Sequence, residues 1–205
     1  MVTIIDYNAG NLASVYNALQ FIGCDCRISN NPDDIIASDA VILPGVGAYA
    51  HAVDSIDRLG LRKPVLDFIN SGKPFLGICL GLQLLFEGSF ESPGAKGLGI
   101  FNGTIKKIPK LSDFKVPHMG WNSLSFNKDC YLFDNINNNP YVYFVHSFYL
   151  DSPDKSIVSS QSDYSVTIDA SVYKDNICAT QFHPEKSGDL GIQMLKNFSI
   201  YITKG

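Results

Sequence analysis

What this chain lacks narrows its chemistry first. Charge is scarce: of 205 residues only 18% are charged, with 16 Lys and Arg against 20 Asp and Glu, a formal net charge of −4, and no block of basic residues. Binding along a phosphate backbone needs clustered cations, so nucleic acid is excluded as an expected partner. No apolar run approaches the ~18–20 residues that span a bilayer, and the start, Met1 to Asp6, lacks the basic n-region and cleavage site of a signal peptide. No membrane association is expected, and the location is read as cytoplasmic. Cysteine is sparse and odd in number, five residues at positions 24, 26, 79, 130 and 178. A chain of this length can bury a core without staples, so reduced thiols are expected. The Cys24-x-Cys26 pair has no second pair to complete a metal site. Gly45-Val46-Gly47 lacks the third glycine of a dinucleotide fingerprint, with Ala50 in its place. There is no phosphate loop and no metal-ligand cluster, so neither a cofactor nor a metal is expected.

What is present reads as one domain over residues 1–205. Residues 2–6 form a β-branched run, and Leu12, Val15, Tyr16, Leu19 and Ile22 then recur at helical spacing up to Gly23. The unit repeats: a strand over 24–29, a short helix from Asn31-Pro32, and an apolar run 39–43 closed by Pro44-Gly45. A helical stretch over about 48–70, broken near Gly60 and Pro64, follows. Residues 73–78 read as a buried strand that leads directly into a helix over 80–86. Near-continuous apolar strands alternating with amphipathic helices predict an α/β fold, flavodoxin-like, with a mostly parallel sheet covered on both faces. From Gly103 to Ala179, short β-rich runs between polar turns predict an antiparallel extension of the same sheet. Asn135 to Pro140 is a polar turn, and a last helix covers about 189–200.

Three motifs carry chemistry. In Gly77-Ile78-Cys79-Leu80-Gly81 a cysteine sits between glycines where a strand turns into a helix, a pattern expected by chance about 0.03 times at this composition. Such an elbow exposes the sulfur, favours thiolate at the helix N-terminus, and lets the Leu80 amide point at a developing oxyanion. A buried structural cysteine is the plain alternative. A thiol nucleophile needs a base, and His183-Pro184-Glu185 follows a strand-like run, so Glu185 can hold the His183 imidazole in one tautomer while its other nitrogen faces Cys79. Pro44-Gly45-Val46-Gly47 closes an apolar strand and can present backbone N–H groups to an anion. His118 and His146 are read as structural, and Trp121 as interface or core.

Pro44–Gly47, Gly77–Gln83 and His183–Glu185 together resemble the class I, triad-type glutamine amidotransferases. Val116–Asn122, Tyr143–Phe148, Asp6–Leu12 and Lys186-Ser187 narrow the resemblance to glutaminase subunits serving histidine biosynthesis, and it covers essentially the whole chain. It implies that Cys79 attacks the side-chain amide of L-glutamine, that His183 shuttles the proton, and that Glu185 orients His183. Oxyanion donors would be the Leu80 amide and, after a flip of the Pro44 to Gly47 loop, an N–H near Gly47. Gln83, Ser147 and Phe148 would hold glutamine. Asn11, Trp121, Tyr143 and Lys186 would face a synthase (cyclase) partner of barrel fold in a heterodimer. That partner would use channelled ammonia to make imidazole glycerol phosphate and aminoimidazole carboxamide ribonucleotide. Asn8-Ala9, and Phe148 where tyrosine is common, depart from the pattern. They leave room for a paralogous glutaminase feeding surface-sugar amination. A same-fold cysteine hydrolase or peptidase, and a non-enzymatic interaction module, are the rivals from other classes.

Overall fold

The computed structural model describes residues 1–137 and 139–204. Strands β1 (Val2–Ile5), β2 (Cys26–Ser29), β3 (Ala40–Gly45) and β4 (Phe75–Cys79) alternate with helices α1 (Leu12–Phe21), α2 (Pro32–Ala37), α3 (Tyr49–Arg58), α4 (Arg62–Asn70) and the short α5 (Leu80–Leu84). Strands β5 (Phe86–Ser89), β6 (Phe101–Lys107), β7 (His118–Ser123), β8 (Ser125–Phe126), β9 (Tyr141–His146), β10 (Phe148–Tyr149), β11 (Val158–Asp163), β12 (Thr167–Lys174) and β13 (Ile177–Thr180) follow, and α6 (Gly188–Lys204) closes the chain. Caps explain several starts. The Asn11 side chain accepts from Ser14 N ahead of α1, and Asn31 accepts from Asp33 N ahead of α2, which begins with Pro32 and two acids.

The main sheet runs β2-β1-β3-β4-β13-β12-β11-β8. The first five strands are parallel, in a doubly wound order that brings the carboxyl ends of β3, β4 and β13 together. Strand alternation splits the core in two. Val2, Ile4, Ala40, Ile42, Leu76 and Ile78 face α1 and α6. Ile5, Val41, Leu43 and Phe75 face the other side, with residues of α2 to α5. Each fully buried Leu or Ile here contributes about 1.5–3 kcal/mol.

The antiparallel extension is there in β12, β11 and β8, and the structure corrects other readings. Strands β5, β6 and β10 form a separate three-stranded sheet, and β7 and β9 a separate antiparallel ribbon. Phe86 starts β5 rather than ending a helix, because its pairing with Phe101 and the hydrogen bonds from 98–101 to the carbonyls of Leu84, Leu85 and Phe86 claim that backbone. Pro64 breaks nothing. It lies in the first turn of α4, where its missing N–H has no intrahelical partner to lose, and the break falls at Gly60 with φ of 67°. In the polar turn, Asn135 and Asn139 have φ of 60° and 63°, a conformation asparagine tolerates, and residue 138 lies outside the described residues.

Candidate active site

Strand β4 ends on Cys79, whose φ of 55° and ψ of −104° are strained for a residue with a Cβ. Two close approaches make the turn possible. A Cβ on Gly81 would lie 1.8 Å from Leu43 O, and one on Gly77 would lie 3.0 Å from Gly81 O. Only glycine lets α5 start this close to β3, and the bend sets the sulfur at the carboxyl edge of the sheet.

His183 stands just past β13, fixed by its N–H to Tyr143 O at 3.0 Å and by Ser187 Oγ donating to its carbonyl at 2.6 Å. Its Nδ1 lies 2.8 Å from Glu185 Oε1, and both side chains are only 2% exposed. Burial pulls the His183 pKa down, but the Cys79 sulfur and the Glu185 carboxylate outweigh burial and push it up to about 10. Nε2 makes no hydrogen bond of full geometry, so its coupling to Cys79 rests on proximity and charge rather than on a formed bond. This trio can generate a thiolate and keep a proton for a leaving group.

The sulfur opens on a cavity of about 470 Å³. Six other residues singled out from the sequence, Gly47, Leu80, Gln83, Ser147, Phe148 and Lys186, line it with Cys79. Buried Gln83 donates its amide to Phe148 O at 3.0 Å and to Gln181 Oε1 at 2.9 Å. Two lining or neighbouring groups escaped the sequence reading. Glu91, the only carboxylate among the lining residues, accepts from Tyr49 N at 2.9 Å and so caps α3. Gln181, fully buried, brings Nε2 to 3.6 Å from Cys79 Sγ. No local pattern marks either residue, except that Gln181 lies two positions before His183. The Pro44 to Gly47 loop is also narrower than expected: Pro44 and Gly45 belong to β3, in register with Ile78 and Cys79, and Val46 and Gly47 lie beyond the ladder.

The ribbon of β7 and β9 has two unlike faces. Outward, Trp121 and Tyr143 are register partners with ring centroids 6.2 Å apart, and Lys186 Nζ lies 6.0 Å from the Tyr143 ring centre. Trp121 is 55% exposed, flanked by exposed Met119 and Tyr141, and Lys186 also lines the cavity. Asn11 sits apart in role, as the cap of α1. Inward, His118 and His146 are paired in register, and their rings meet, Nδ1 to Nε2, at 3.0 Å. Burial pushes His118 down to about 4; burial, with the charges of His118 and His183, pushes His146 down to about 3. Both are neutral at physiological pH. Among the described residues no group of three or more His, Cys, Asp or Glu could hold a metal ion.

Comparison with known proteins gives the family. The chain is 46% identical over 198 residues to the imidazole glycerol phosphate synthase subunit HisH of Caldanaerobacter subterraneus subsp. tengcongensis, covering 97% of each chain. It is 48% identical to the protein of the same name from Methanothermobacter thermautotrophicus, over 97% of both. Among solved structures, a glutamine amidotransferase superposes with a TM-score of 0.77 at 15% identity over 100% of both chains. PurLQS from Thermotoga maritima gives 0.75 at 19%, covering 98% of this chain and 97% of the other. The family model of glutamine amidotransferase class-I matches residues 3–202, and the chain belongs to that family of enzymes.

Proposed function

We propose that this chain is the glutaminase subunit of an imidazole glycerol phosphate synthase, acting as a single domain in the cytoplasm. The observation that carries the reading is the buried trio of Cys79, His183 and Glu185 opening on a cavity with Gln83 in its wall. Identity of 46% with a subunit of that name across 97% of the chain supports the pathway.

In this reading Cys79 Sγ attacks the side-chain amide carbon of L-glutamine. The oxyanion takes hydrogen bonds from the Leu80 N–H and from an N–H near Gly47. His183 receives the thiol proton and passes it to the departing nitrogen, which leaves as ammonia. Amide nitrogen is a poor leaving group until protonated, so this transfer is required. Water, activated by His183, then hydrolyses the glutamyl thioester to glutamate. Gln83 and the backbone at Ser147 and Phe148 hold the amino-acid end of the substrate, and the Glu91 carboxylate suits its ammonium group.

Free ammonia is protonated in water and lost, so the product needs a sheltered exit. The partner is a cyclase of barrel fold, docked in a heterodimer on the face of Trp121, Tyr143, Lys186 and Asn11. It turns the ammonia into imidazole glycerol phosphate and aminoimidazole carboxamide ribonucleotide. With its cognate synthase, the chain is expected to restore growth of a histidine auxotroph that lacks the glutaminase subunit, and Cys79→Ser is expected to abolish both growth and glutamine hydrolysis. Failure with the partner present would send the ammonia to another acceptor, such as a surface sugar. Full hydrolysis by Cys79→Ser would remove the nucleophile.

A further inference from the structure

The Phe148 carbonyl settles the direction of a long run of hydrogen bonds. A carbonyl accepts and never donates, so the two groups that approach it, Gln83 Nε2 at 3.0 Å and His146 Nδ1 at 2.9 Å, are both donors. The second hydrogen on Gln83 Nε2 goes to Gln181 Oε1 at 2.9 Å. With its oxygen committed there, Gln181 turns its amide nitrogen toward Cys79 Sγ, 3.6 Å away. On the far side, neutral His146 with Nδ1 protonated accepts at Nε2, so His118 Nδ1 donates to it at 3.0 Å. The remaining nitrogen of His118 is an acceptor, and Asn122 Nδ2 lies 3.5 Å from it. The donors therefore run from Asn122 through His118 and His146 to the Phe148 carbonyl on one side, and from Gln83 through Gln181 to the sulfur on the other.

We propose that Gln181 is a catalytic residue: its side-chain N–H holds the Cys79 sulfur as a thiolate and aims it into the cavity, while Gln83, Phe148 O and His146 position Gln181. The inference rests on the glutaminase reading of the site. The thiol proton goes to His183 Nε2, and the electron pair left on sulfur accepts the Gln181 hydrogen bond. When that pair forms the bond to the amide carbon, the hydrogen bond weakens, and no proton moves to or from Gln181. Gln181 is fully buried, so water offers the thiolate little competing solvation on this side. The titratable groups facing the sulfur are His183, with Glu185 behind it, and Tyr7 from the loop after β1. The Tyr7 hydroxyl is buried, and burial with the Cys79 charge pushes its pKa up, so it stays neutral in the working range.

Two variants of the full chain test this. Gln181→Met keeps the volume and removes donor and acceptor; Gln181→Glu keeps an acceptor for Gln83 and removes the donor at sulfur. The probe is iodoacetamide, with alkylation of Cys79 followed against pH by mass spectrometry. A hydrogen bond to a charged group is expected to shift the alkylation midpoint upward by about one to two pH units when lost. The kcat for glutamine is expected to fall about ten- to hundredfold, with KM within about threefold. An alkylation profile of folded Gln181→Met or Gln181→Glu that overlays the wild type overturns the proposal, as does a rise in KM with unchanged kcat. If neither variant folds, the wild-type chain decides: the Gln181 side-chain amide proton resonance must move with the titration of Cys79, and an indifferent resonance overturns the proposal. The alkylation assay does not need glutamine. A wild type that hydrolyses no glutamine refutes the proposed function and leaves the Gln181 result standing on its own.

Discussion

Two buried histidine sites in this protein have opposite electrostatic character. At the end of β13, His183 has a carboxylate 2.8 Å from one ring nitrogen and a sulfur near the other, and its pKa is pushed up to about 10. In the ribbon, His118 and His146 are equally enclosed but face each other, aromatic rings and a carbonyl, and are pushed down to about 4 and about 3. Burial disfavours the charged imidazole in both places; the difference lies in whether an anion stands within reach. In the proposed reaction the first site carries the proton. The other is built to stay neutral and hold hydrogen-bond directions in place.

The contrast breaks most severely at Glu185. Replacing it by Gln removes the anion, leaves His183 buried without its charge partner, and permits the wrong tautomer. The expected loss in kcat is on the order of 10²–10⁴, read by steady-state glutamine hydrolysis. A variant that keeps half of its activity would mean that the raised pKa of His183 has no part in turnover.

Acid stability sharpens the other side. The folded pKa values of His118 and His146 lie below the unfolded value of about 6.5, so the unfolded chain binds more protons below that pH. Stability from this source is fully present above pH 6.5 and is lost as pH falls toward 4. The expected slope is about 1.4 kcal/mol per pH unit for each histidine. Urea unfolding between pH 7 and 4.5 measures it, and His146→Gln is expected to remove about one proton from the slope. Equal slopes in the two proteins would show that His146 takes up its proton in the native state as readily as in the unfolded chain. Smallest of all is the expected effect on the ribbon's outer face. With Trp121 55% exposed, Trp121→Ala is expected to change stability by no more than about 0.5 kcal/mol while weakening association with the proposed synthase partner. A thermal shift equivalent to ~2 kcal/mol would make Trp121 a packing residue instead.

Much of this was readable along the chain because its causes are local. The alternation of β-branched runs with 3.6-residue patterns announced the parallel half. Glycines two positions either side of Cys79 announced the elbow, because a Cβ on Gly81 would fall 1.8 Å from Leu43 O, a clash that only glycine avoids. His183 and Glu185, two apart after a strand, share a side. The antiparallel half was harder. Its short runs looked like one extension, yet β7 pairs only with β9, and Phe86 leaves a helical pattern to pair with Phe101. Gln181 and Glu91 could not be found by spacing: Gln181 meets Gln83 across 98 positions, and Glu91 meets Tyr49 across 42. His118 and His146 were read as two separate structural residues, and their pairing depends on the register of two strands 28 positions apart.

The sequence by itself determined the layered α/β architecture, the cysteine at the strand-to-helix elbow and the histidine–glutamate pair, since backbone propensity, side-chain periodicity and glycine's steric freedom act over a few residues. Only the tertiary structure decided which histidine has its pKa raised, which amide points at the sulfur and which strands leave the main sheet. Those outcomes depend on desolvation and on hydrogen bonds between segments far apart in the chain, and neither exists until the chain has closed around them.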